Sequence, residues 1–249
     1  MDSSIHSAGI TPAEVRGEQF VSIYPLLVVA GIAVTFTLWS RLARRDHRLV
    51  LIYLWALVSA FAGAKLVYLA AEGWMFASSP DRWLIWATGK TILGALLGGY
   101  LGVELVKKMT GYAQPTGDWF ALVTPLGILL GRIGCLLHGC CLGERCAPAW
   151  WTLADARGEA RWPAVPLEIA FNVFALGAVF VLRRLRLAPG QHFHLYLIAY
   201  GLFRFAHEWM RATPKIVLGL SGYHVAALAV TALGILGFVR RQREQQARH

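Results

Sequence analysis

The sequence predicts an all-α integral membrane protein of seven transmembrane helices, with the N-terminus outside and the C-terminus cytoplasmic. Three observations lead there. The chain of 249 residues is 57% hydrophobic and only 15% charged, with a mean hydropathy of +0.51, too apolar for an ordinary soluble domain. It contains seven apolar stretches near the length of about 20 residues needed to cross a hydrocarbon core of about 30 Å. Basic clusters follow every odd-numbered stretch, as the positive-inside rule requires of cytoplasmic loops.

The expected spans are 21–40, 49–71, 84–106, 118–137, 166–183, 192–210 and 218–239. The polar segment 1–20 precedes the first and is expected to be periplasmic, with no cleavable signal, so that the first span stays in the membrane. Arg41, Arg44, Arg45 and Arg48 follow span one, and Lys107 and Lys108 follow span three. Arg183, Arg184 and Arg186 follow span five; Arg240, Arg241 and Arg243 open the cytoplasmic tail 240–249. Span three carries Gly89, Gly94, Gly98, Gly99 and Gly102, and the Gly94/Gly98 spacing predicts close helix packing. The outer connections carry Trp74, Trp83, Trp86, Trp150, Trp151 and Trp162, which suits an interfacial belt. The longest of them, the outer loop 138–165, has room for a small element lying on the membrane. The whole chain, 1–249, reads as one polytopic membrane domain. Its net charge of +10 sits in short loops between spans, so contact with anionic lipid head groups is expected rather than with nucleic acid.

The stretch Leu130 to Cys146 concentrates chemistry. It holds all four cysteines (Cys135, Cys140, Cys141 and Cys146), His138, glycines at 131, 134, 139 and 143, and Arg132 near the end of span four. A charged side chain inside a span is expensive unless it meets a partner or water. Lys65, Lys90, Arg132, Arg204, His207 and Glu208 are in that position. Arg204 and Glu208, four apart, can pair on one helical face; Arg211 lies a turn further on. The topology brings Arg132, Arg204, Glu208 and Arg211 toward the outer side. Arginines converging there make a site for phosphate, because guanidinium is a planar fork of donors that stays charged.

These residues resemble a known family. Gly131-Arg132-Ile133-Gly134 with Gly143, then Tyr200-Gly201-Leu202-Phe203-Arg204 and Glu208, look like the bacterial prolipoprotein diacylglyceryl transferases. Tyr24, Asp118 with Pro125, Pro163 with Glu168, and Arg211 resemble further family positions. The resemblance implies a multi-pass enzyme of the bacterial inner membrane with its site toward the outer side. Such enzymes move the diacylglyceryl group of phosphatidylglycerol onto a lipoprotein precursor cysteine and release glycerol phosphate. It further implies that Arg132 and Arg204 hold the lipid phosphate and leaving group, and that Tyr24, Gly143 and Glu208 shape the cavity, with Asp118, Gly134 and Arg211 also on the lipid-binding side. No cofactor is implied. Leu93 occupies the place of a family histidine, and Cys135 and His138 replace two family asparagines.

Alkyl transfer to a thiol needs a thiolate and a stabilised leaving phosphate. The base is open between His138, also readable as packing or capping at a helix end, and His207, also readable as a satisfied core residue. Several readings of the cysteines are open. Cys140 or Cys141 pairs with Cys135 or Cys146 in a disulfide; a thiol acts in catalysis; or the cysteines are plain buried packing. A metal site built from His138 and the thiols is a further open reading, though adjacent cysteines without a second Cys-x-x-Cys or His pair are weak spacing for zinc, and no residue is assigned as a metal ligand. Two other functions remain open: a transferase of this fold with a different small or lipid acceptor, and a non-catalytic lipid-binding or redox membrane module.

Overall fold

A computed structural model describes residues 23–44, 46–216 and 218–247. The expectations for segment 1–20 and for the Tyr24 side chain lie outside the described residues. Among the described residues eight α-helices follow one another: α1 Ile23–Ala43, α2 Arg48–Ala71, α3 Arg82–Thr88, α4 Ile92–Thr110, α5 Gly117–His138, α6 Ala164–Arg184, α7 His192–His207 and α8 Gly222–Gln246. One short antiparallel hairpin, β1 Leu153–Ala154 with β2 Ala160–Arg161, lies in the outer loop. Among the described residues α2, α5, α6 and α8 are long and apolar enough to cross a membrane, and α3 with α4 would make a fifth span. Large apolar side chains such as Phe61, Leu66, Phe174, Phe180 and Leu236 stand exposed on the outside, the surface that a lipid solvent tolerates and water does not.

The expected third span is not one helix. Instead, α3 and α4 meet at 59°, and the chain between them leaves the helix at Gly89. Gly89 is extended (φ −63°, ψ 135°), and a Cβ there would fall 2.0 Å from Cε1 of Tyr68. The carbonyls freed at the break are taken up by Lys65, whose Nζ donates to Trp86 O at 2.8 Å and also to Ala87 O. That settles the cost of Lys65 within α2. The tail is helical as well. From the expected span end at 239, α8 runs on to Gln246, and Arg240 and Arg241 pair with Glu244 at 3.0 and 3.3 Å on its surface.

Close packing of the glycine-rich helix is as predicted, and its partner is α2. A Cβ on Gly94 would meet Gly63 O at 2.2 Å, and one on Gly98 would meet Ser59 O at 2.2 Å. Only hydrogen fits between these backbones. Elsewhere α1 lies against α5, α5 against α6, and α7 against α8. Aromatic side chains fill the centre: Trp39, Tyr53, Phe120 and Phe193 cluster together. A row of stacked rings, Phe193, Tyr196 and Tyr200, runs along α7. Their spacing of three and four residues keeps this row on one helix face, and it leads to the buried charges described next.

Candidate functional site

The charges sit where α5, α6 and the end of α7 converge. Arg132 comes from α5, Glu168 from the first turns of α6, and Arg204 and His207 from the last turn of α7. A 3-10 turn, Glu208–Met210, supplies Glu208 and leads into Arg211. Glu168 is the hub and is fully buried. Its Oε2 lies 2.9 Å from Arg132 Nε and 4.0 Å from Arg204 Nη1, and its Oε1 accepts the Tyr200 hydroxyl at 2.6 Å. Glu208, also fully buried, receives Arg204 Nη2 at 2.9 Å and the Thr213 and Ser221 hydroxyls at 2.5 and 3.3 Å. Arg211 Nε stands 3.8 Å from the same carboxylate. Three arginines thus face two glutamates, and the cluster carries one unmatched positive charge.

Several donors in it are left over. Arg204 Nε and Arg211 Nε and Nη1 are buried with no hydrogen-bond acceptor among the described residues. A buried donor without a partner costs about 1–3 kcal/mol, more when charged, so such donors mark a place for an anion. Arg132, Arg204 and Arg211 also line a cavity of about 530 Å³, together with Lys90, Thr213, Tyr223 and Glu72, whose carboxylate accepts the Tyr223 hydroxyl at 2.7 Å. A second, mainly apolar cavity of about 360 Å³ shares Ile92, Ala95, Gly127, Ile128 and Gly131 with it and extends toward Lys107 and Arg241. Gly131 keeps this shared wall open, since a Cβ there would have no neighbour within 4 Å.

The remaining predicted residues fall into three groups. Gly143 belongs to the support of the cluster. It pairs with Arg211 in an antiparallel bridge, its amide donates to Trp162 O at 3.1 Å, and the Glu144 amide donates to Met210 O at 2.8 Å. A Cβ at Gly143 would lie 2.4 Å from Trp162 O and 2.7 Å from Met210 O. Gly143→Ala is therefore expected to push the outer loop off Arg211 and lower lipid affinity. A phosphatidylglycerol titration would detect this, and unchanged affinity would count against Gly143 as the clamp on Arg211. Gly134 is buried within α5.

Asp118 and His138 lie apart from the cluster. Asp118 sits about 21 Å along α5 from Arg132, at about 1.5 Å per residue, and accepts the Gly190 and His192 amides at 2.8 and 3.3 Å. It holds the start of α7 in place and does not line the cavity. His138 is exposed at the end of α5 and does not line the cavity either. His207 is the satisfied core histidine: Arg204 Nη1 donates to its Nδ1 at 2.7 Å, and its Nε2 donates to Ala164 O at 2.8 Å. With both nitrogens engaged, it orients Arg204.

The cysteines form the third group. All four are free, so none of the expected disulfide pairings is present. Cys146 stands on the hairpin side, its amide donating to Ala160 O at 3.0 Å. The other three meet. α5 ends at Gly139 (φ +68°), whose amide donates to Leu136 O at 3.2 Å while the Cys140 amide donates to Cys135 O at 3.1 Å. This reversal folds Cys140 and Cys141 back over the last turn, and the sulfurs of Cys135, Cys140 and Cys141 lie within 4.8 Å of one another. Cys141 is held at φ +61°, a conformation that costs a non-glycine residue about 1–3 kcal/mol.

Glu168 is the functional residue that the reading of in-span charges passes over. Its signal was available, since an acidic residue inside the expected span 166–183 needs a partner as much as Arg132 does. Tyr200 carries no such signal, because tyrosine is ordinary in an apolar helix.

A family model described as prolipoprotein diacylglyceryl transferase matches residues 13–240. The chain belongs to the prolipoprotein diacylglyceryl transferase family. Among members, the phosphatidylglycerol–prolipoprotein diacylglyceryl transferase of Symbiobacterium thermophilum is 30% identical over 93% of this chain and 92% of its own. That of Gloeobacter violaceus is 31% identical over 99% of both chains, and that of Dehalococcoides mccartyi is 31% identical over 77% of this chain and 76% of its own. The Gly131–Gly134 and Tyr200–Arg204 motifs that carry the family resemblance therefore stand in α5 and α7, on either side of Glu168.

Proposed function

We propose that this chain transfers the diacylglyceryl group of phosphatidylglycerol to the cysteine thiol of a lipoprotein precursor and releases glycerol phosphate. The observation that carries this reading is the meeting of Arg132, Arg204 and Arg211 at one cavity with an unmatched positive charge and unused donors. The lipid phosphate binds there, with Arg132 and Arg204 as the clamp and Arg211 as an outer donor. Glu168 and Glu208 position the guanidiniums without neutralising them. The apolar second cavity offers room for acyl chains next to the head group. As the C–O bond breaks, charge builds on the leaving phosphate; the arginines grip this product-like state more strongly than the diester, the condition for a faster step.

In the proposed topology α1, α2, the bent pair α3–α4, α5, α6, α7 and α8 make seven spans, with the N-terminus outside and the cavity toward the outer leaflet of the inner membrane. The basic ends support this. Arg48 Nη1 donates to Thr110 O at 3.2 Å, and Arg240 pairs with Glu104 at 3.3 Å, so the clusters after spans one, three and seven share one face.

The test is to incubate the purified protein with labelled phosphatidylglycerol and a lipobox peptide. Release of glycerol phosphate with alkylation of the peptide is expected. Release only in the presence of another thiol would move the acceptor assignment, and no release under any condition would leave a lipid-binding module.

A further inference from the structure

The thiols that the phosphate clamp does not use lie on the wall of the same cavity. Cys135 and Cys141 line it, and Arg132 Nη1 is 3.9 Å from Cys135 Sγ. Three sulfurs within 4.8 Å of one another are close to the spacing of a metal thiolate site. Zinc–sulfur bonds of about 2.3 Å place the sulfurs of a tetrahedral site about 3.8 Å apart, so shifts of about 1 Å close it. A set of soft thiolates selects zinc or copper(I) and gives no hold on magnesium or calcium. The strained Cys141 backbone turns its thiol toward the other two against its own preference.

We propose that Cys135, Cys140 and Cys141 bind a zinc ion whose fourth position, on the cavity side, receives the acceptor thiol as a thiolate. This rests on the transfer reading given above. Three protein ligands with one open position are the arrangement of catalytic rather than structural zinc, and a thiol that coordinates zinc gives up its proton. The cavity needs such a device, for among the described residues lining it there is no histidine, and His207 is committed to Arg204 and Ala164.

The step balances without any redox change. The acceptor thiol coordinates zinc and passes its proton to water. Its sulfur then attacks the terminal glyceryl carbon, a C–S bond forms, and the C–O bond to phosphate breaks. The electron pair leaves on the phosphate oxygen beside Arg132 and Arg204, and glycerol phosphate departs. The product thioether is neutral and a weaker ligand, so it leaves the metal.

The full-length protein in detergent, equilibrated with zinc chloride and then desalted, is expected to retain about one zinc per chain by elemental analysis. Cys140→Ser and Cys141→Ser, each checked for an unchanged unfolding midpoint, should each lower the content at least tenfold, and Cys146→Ser should not. Absorption spectroscopy at the zinc edge should find three sulfur neighbours, rising to four when a peptide bearing a single cysteine is added. Zinc retained equally by the serine variants, no retention by the parent protein, or no fourth sulfur would each overturn the proposal. Full glycerol phosphate release by zinc-free protein would overturn it while leaving the transfer reading intact. Zinc-loaded protein that gains the fourth sulfur but releases no glycerol phosphate would overturn the transfer reading and with it the proposed role of the metal.

Discussion

Arg132→Ala and Arg204→Ala are each expected to lower phosphatidylglycerol turnover by about 10²–10³-fold, the usual consequence of removing one donor from a preorganised anion site. The loss should fall on kcat more than on KM, because the leaving phosphate gains charge as the bond breaks and the diester does not. Arg→Lys at either position should not restore the rate. An ammonium cannot place two parallel donors on one phosphate while also reaching Glu168 or Glu208. Both variants should fold, though with a lower unfolding midpoint than the parent, since the loss of a buried partner is offset in part when a cluster with one surplus positive charge becomes neutral. Glycerol phosphate release in reconstituted vesicles measures the effect, and full activity in either variant would remove the phosphate clamp from the mechanism.

Glu168→Ala is expected to act on stability rather than on the chemical step. It leaves three arginines facing Glu208 alone and strips the closest partner from Arg132 and the acceptor from Tyr200. Breaking a buried pair in this way costs about 3–5 kcal/mol, comparable with much of a domain's total stability of about 5–15 kcal/mol. A sharp fall in the unfolding midpoint in detergent, or loss of folded protein from the membrane, is the expected result. Glu168→Gln keeps a group that can accept the Tyr200 hydroxyl but loses the charge, so it should fall between. Added phosphatidylglycerol should raise its midpoint more than that of the parent protein, because the lipid phosphate offsets the surplus charge. An unchanged midpoint in Glu168→Ala would mean that other groups hold the arginines.

The contrast between these variants comes from one feature. Glu168 and Glu208 each serve more than one donor, and the arginines still outnumber them. A fully matched network would be inert toward phosphate. One with more surplus charge would not survive burial.

The sequence by itself determined the membrane character, the approximate place of most helices and the arginines of the cluster. Each follows from the cost of putting a given residue type in hydrocarbon, which depends on composition over one turn or one span and so is local. The family motifs around Arg132 and Arg204 were legible for the same reason, as short runs of fixed residues. Only the tertiary structure decided what those charges meet. Glu168 as the shared partner, Tyr200 as its donor and His207 as a brace for Arg204 depend on α6 and α7 crossing beside α5. Pairwise geometry of that kind leaves no periodic trace in any one segment. That residue 89 at the break must be glycine depends on the ring of Tyr68 from another helix. The meeting of Cys135 with Cys140 and Cys141 depends on the reversal at Gly139, which turns a spacing that is poor along the chain into three sulfurs side by side.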